Sequence, residues 1–142
     1  MSKAKTYIII GIAILIVVLA VWGVLRFSSL GTKIDEKIAE KKLGASLDAE
    51  IASAGTPTMT TNQIKLAADK LYTAMKGWGT DEDAIYEVFT GITTRADILA
   101  LIKYFGVKGG ANLVEWITAE LSSSEREKLN SIIAGNGVMY MF

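Results

Sequence analysis

The chain has no cysteine, no histidine and one proline, Pro57, among its 142 residues. Without cysteine there is no disulfide, no thiol nucleophile and no thiolate metal site. Without histidine the commonest general base and the commonest transition-metal ligand are missing, so a bound metal has to be a hard cation held by oxygens. Net charge is absent too: 15 Lys and Arg offset 15 Asp and Glu. That balance leaves no electrostatic footprint for nucleic acid, which is not expected as a partner. No phosphate-binding glycine loop and no convincing acid pair occur, so an enzyme is not expected.

What the chain does have is one long uncharged run, Tyr7 to Leu25. At about 1.5 Å per residue a helix of that length covers roughly 28 Å, close to the hydrocarbon thickness of a bilayer. Only a helix satisfies its own backbone there. Tyr7 and Trp22 sit near the ends, where amphipathic rings prefer the headgroup level, and Lys3, Lys5 and Arg26 bracket the run. The competing reading is a signal peptide cut after Val18-Leu19-Ala20, but the apolar run continues past Ala20. Residues 1–27 are therefore expected to be an N-terminal tail and a single-pass transmembrane anchor. Basic residues stand on both sides, with Lys33, Lys37, Lys41 and Lys42 following Arg26. These charges do not separate the two sides; the short tail need not cross, which leans slightly to the N-terminus inside.

Residues 28–61 read as a charged connector and linker. Ile34 and Ile38 lie one turn apart among charged neighbours, which predicts a short helix broken at Gly44. Leu47 and Ile51 predict a second short helix, and the stretch around Pro57 an extended linker. The simplest account of the charges is a solvated spacer.

Residues 62–134 carry five helical patterns, an all-α fold. Thr60 and Gln63 have capping-box spacing before Ile64, Ala67, Ala68, Leu71 and Met75. Gly77-Trp78-Gly79 stops that helix, and Thr80 with Asp83 predicts the next start. A third helix carries Ile98, Leu101, Ile102 and Phe105, ending at Gly106. A fourth holds Leu113, Trp116 and Ile117. Ser122-Ser123-Ser124 followed by Glu125 and Glu127 predicts the cap of a fifth, which Gly135-Asn136-Gly137 ends. Residues 135–142 form an apolar alternating tail that either pins back on the domain or offers a docking strand.

The stretch Met75-Lys76-Gly77-Trp78-Gly79-Thr80-Asp81-Glu82 resembles the annexin repeat, here of a single-repeat bacterial or phage type. Leu71 and Ala74 before it, Val88-Phe89-Thr90 after it, Tyr104-Phe105-Gly106 and Ala119-Glu120-Leu121-Ser122 agree with the same repeat. The resemblance implies a Ca²⁺ site made by the carbonyls of Met75, Gly77 and Gly79 with the carboxylate of Glu120, its open positions going to water and lipid phosphate. A turn with two glycines suits such a site, because glycine adopts positive φ and lets backbone oxygens face a ligand. Trp78 at the tip is then the membrane or partner contact. Annexins usually carry four repeats and this chain has one, which excludes any activity that needs the four-repeat disc in a monomer.

The expected function is a membrane-anchored interaction module that binds a bilayer, through Ca²⁺ and anionic phospholipid headgroups, or binds a protein partner. The alternative is a structural subunit of a membrane-containing assembly, such as a lipid-containing virion or an envelope complex, with the repeat docking protein.

Overall fold

Capping chemistry and apolar periodicity account for most of the helices. The computed structural model describes residues 35–142. The expected tail and anchor, residues 1–27, and the start of the connector lie outside the described residues. Among the described residues no helix is long and apolar enough to cross a membrane. They contain six helices and no strand: α1 (residues 35–54), α2 (Thr61–Met75), α3 (Glu82–Thr90), α4 (Arg95–Phe105), α5 (Leu113–Glu120) and α6 (Ser123–Gly135).

At α2 the capping box is present as expected. The Gln63 N–H donates to Thr60 Oγ1 and the Thr60 N–H to Gln63 Oε1 (2.8 Å). The same reciprocal pair, Ser122 with Glu125, starts α6. A third, Asn112 with Glu115, starts α5. At α3 the expectation is one residue early. The cap is Asp81, whose Oδ1 accepts from the Ala84 N–H at 3.0 Å, and the Thr80 hydroxyl is used elsewhere.

Helix α2 is the hub. It packs on α3 and α4, α6 packs on α3, and α5 closes against α2 and α4. Leu71, Ile85, Phe89, Ile98, Leu113, Ile117 and Leu129 are fully buried between them. Removing each from water stabilises the fold by roughly 2 kcal/mol.

The connector departs from expectation. Helix α1 runs unbroken through Gly44, and Leu47 is only 6% exposed as part of the same core. A mid-helix glycine costs about 1 kcal/mol, less than burial of Leu47 returns once Leu43 and Ile51 pack beside it. Asp48 pairs with Lys103, and Glu50 lies 3.8 Å from Arg95. The linker is held as well. The buried Asp97 carboxylate accepts from the Met59 N–H (2.9 Å) and from the hydroxyls of Thr58 and Thr94 (both 2.7 Å).

The tail folds back on the domain. The Phe142 N–H donates to Asn130 Oδ1 (2.9 Å), and the Phe142 ring meets Phe89 edge-on, with centroids 5.1 Å apart. Val138 is buried, while Met139 and Met141 stay exposed.

Candidate functional site

The α2–α3 turn is shaped by where its hydrogen bonds stop. The Lys76 N–H closes α2 on Tyr72 O (2.9 Å), and the Asp81 N–H returns to Ala74 O (2.9 Å). Between these closures Gly77 and Gly79 take φ of 111° and 84°. L-residues rarely adopt either value, so both positions require glycine. Nothing lies within 4 Å of where a Cβ would stand at either one, so the turn projects into open space. Trp78 at its tip is fully exposed, at 105% of the reference area.

The carbonyls of Met75, Gly77 and Gly79 accept no hydrogen bond among the described residues. They are unspent backbone acceptors at the C-terminal end of a helix, the negative end of its dipole.

Glu120 comes to this turn from a helix distant in sequence. The Thr80 hydroxyl donates to Glu120 Oε2 at 2.7 Å, directly after Gly79. Glu120 is the last residue of α5, which carries no basic residue in its final turn. Among the described residues no Lys or Arg pairs with it. An acid at a helix C-terminus is disfavoured by about 0.3–1 kcal/mol. A cation nearby removes that penalty. Among the described residues no three acidic side chains converge on one point, so a cation here leans on backbone oxygens. That all-oxygen set, with a single carboxylate, suits Ca²⁺ and excludes a soft transition metal. The side chain of Met75 is buried in the core, which leaves only its carbonyl for such a role.

Three contributors escaped the sequence reading. Thr80 positions the acid instead of capping α3. Asp97 holds the linker; its three-residue spacing from Thr94 was the available signal. Asn136 donates to the carbonyls of Phe89 (2.9 Å) and Ile92 (2.8 Å), tying α6 to the end of α3. Burial alone would raise the Asp97 carboxyl, but hydrogen bonds from Met59, Thr58 and Thr94 outweigh it and hold the group below its ordinary range.

The described domain is thus an all-helical unit that presents a double-glycine turn and an opposed glutamate. Residues 66–132, from within α2 to within α6, match the Annexin family model. The chain is 29% identical over 106 residues to annexin A1 of Equus caballus, an overlap covering 75% of this chain and 29% of that protein. It is 33% identical over 104 residues to annexin A13 of Schistosoma japonicum, covering 66% of this chain and 29% of that one. The chain therefore spans less than a third of the length of the curated relatives it matches. No solved structure matches it significantly.

Proposed function

We propose that the carbonyls of Met75, Gly77 and Gly79 and the carboxylate of Glu120 hold Ca²⁺, and that through it the domain binds anionic phospholipid headgroups. We further propose that residues 7–25 anchor the chain in a bilayer as a single-pass helix with its N-terminus inside. The observation that carries the first part is the 2.7 Å hydrogen bond between Thr80 and Glu120. It supports the reading because the one acid of the set then lies at the turn whose carbonyls are unspent. Similarity to annexins over residues 66–132 supports it independently.

Ca²⁺, when bound, supplies open coordination positions for phosphate oxygens. The rest is done by the chain. Glu120 contributes the charge, and the glycines let the backbone oxygens approach the ligand. Trp78 sets an indole at headgroup depth, with its ring in the apolar layer and its N–H wet. One carboxylate is a low charge count, so the site belongs with weak Ca²⁺ modules of Kd about 10⁻⁴–10⁻³ M. Anchoring offsets that weakness by raising the effective concentration of the domain at a surface.

The test uses the full chain in phosphatidylcholine nanodiscs, mixed with sucrose-loaded vesicles containing phosphatidylserine. Ca²⁺ should drive nanodiscs into the vesicle pellet, and a chelator should reverse it. Indifference to both Ca²⁺ and lipid overturns the proposal and leaves protein docking in a membrane-containing assembly as the reading.

A further inference from the structure

We infer that Asn136-Gly137 is a self-modifying junction: water converts Asn136 to aspartate or isoaspartate when α6 parts from α3, and the product frees the C-terminal tail. The inference does not rest on the ion or lipid reading above.

Two adjacent residues set the chemistry. The backbone nitrogen of Gly137 attacks Asn136 Cγ, and the new N–C bond closes a five-membered succinimide ring. The Cγ–N bond of the side-chain amide breaks, and its nitrogen leaves as ammonia with the proton given up by the Gly137 N–H. Water then adds to one of the two ring carbonyls, breaks its bond to nitrogen and returns a proton to that nitrogen. One water is consumed and one ammonia released, with no oxidant or reductant. Glycine has no Cβ to shield its nitrogen. Asn62, Asn112 and Asn130 instead precede Gln63, Leu113 and Ser131, whose side chains crowd the same approach.

The fold requires this glycine. Gly137 has a φ of 77°, where an L-residue is strained. Its N–H donates to Ala134 O (2.9 Å) and the Val138 N–H to Ile133 O (3.2 Å), the paired closure of a helix that ends on a left-handed residue. A side chain that slowed the reaction would therefore spoil the cap.

The fold also holds the reaction off. The half-buried Asn136 amide donates to the carbonyls of Phe89 (2.9 Å), Thr90 (3.3 Å) and Ile92 (2.8 Å). That bracket keeps the amide on the end of α3 while Ala134 engages the Gly137 N–H. These bonds must break before the nitrogen reaches Cγ, so the rate follows the opened population.

The product cannot rebuild the bracket. A carboxylate has no donor and meets carbonyl oxygens. Isoaspartate also adds one carbon to the main chain between α6 and Val138, which shifts both cap bonds out of register. Val138 is buried and the Phe142 ring packs on Phe89, so the tail depends on that cap.

The experiment ages the full chain in nanodiscs in mildly alkaline buffer, with and without guanidinium chloride. Trypsin, cutting after Lys128, then yields the peptide Leu129–Phe142 for mass spectrometry. In denaturant, conversion at Asn136 should outpace conversion at Asn130 of the same peptide. Without denaturant it should be roughly a hundredfold slower, about fivefold for each of the two short side-chain bonds and the Gly137 bond. Asn136→Asp should speed limited chymotrypsin cleavage after Tyr140 about tenfold, by raising the opened population. Should that variant fail to fold, the aged parent gives the same reading. Its peptides cut after Tyr140 should be richer in converted Asn136 than its intact ones. Equal rates with and without denaturant, equal conversion of Asn130 and Asn136 in denaturant, or tail cleavage indifferent to conversion would each overturn the inference.

Discussion

Thr80 and Glu120 are 40 residues apart and meet through a 2.7 Å hydrogen bond that ties the end of α5 to the start of α3. The bond keeps a carboxylate at the negative end of a helix, where the backbone dipole opposes it and no basic side chain of that turn relieves it. Such an acid contributes little to the ion-free fold. Glu120→Gln is therefore expected to shift unfolding free energy without Ca²⁺ by less than about 1 kcal/mol, in either direction. Urea unfolding in chelator checks this, and a loss well above that value would make Glu120 a structural residue.

Trp78 makes the complementary case, since a side chain with no protein cover has little to contribute to stability. Trp78→Ala should leave unfolding within about 0.5 kcal/mol of the parent and still reduce vesicle binding. A marked fall in thermal stability would mean that the indole folds back on the domain.

Asp97 predicts an acid-sensitive linker. Its folded-state affinity for protons is lowered, so the unfolded chain protonates first as pH falls. Its contribution is complete above the ordinary carboxyl value of 3.8 and is lost as pH falls from there through the lower folded value. Asp97→Asn should cost about 1–3 kcal/mol at neutral pH, because three donors lose a charged acceptor. It should also flatten the fall in stability below about pH 4. Chemical denaturation across that range reads both effects, and an unchanged slope would contradict the assignment.

The parts legible in the sequence were those set by neighbouring residues. The capping box at Thr60, a cap within the serine run ahead of α6 and the stop at Gly106 need only a few adjacent positions, and the structure has all three. The parts that depend on distant chain were not legible. Gly44 looks like a breaker until Leu47 is seen buried against the domain. Thr80 looks like a cap until Glu120 arrives from the end of α5. Asn136 gave no local sign of the Phe89 and Ile92 carbonyls to which it donates. Of the expected site, the turn was readable from its glycines. The approach of Glu120 followed only from the annexin resemblance.

Leu47 separates a packed α1 from a solvated spacer. Truncation to Ala should cost about 2–5 kcal/mol if the side chain fills the core as described. An effect within about 0.5 kcal/mol, as at a surface position, would return α1 to the role of a spacer.

Differential scanning calorimetry of the full chain in nanodiscs, with and without Ca²⁺, bears most directly on the turn and its glutamate. At a Ca²⁺ concentration tenfold above Kd, binding should stabilise the domain by about 1.4 kcal/mol, a rise of several degrees in Tm. Mg²⁺ should not reproduce that rise, and Glu120→Gln should abolish it. An unchanged Tm in Ca²⁺, or an equal rise in the Glu120→Gln variant, would contradict a site built from those carbonyls and that carboxylate.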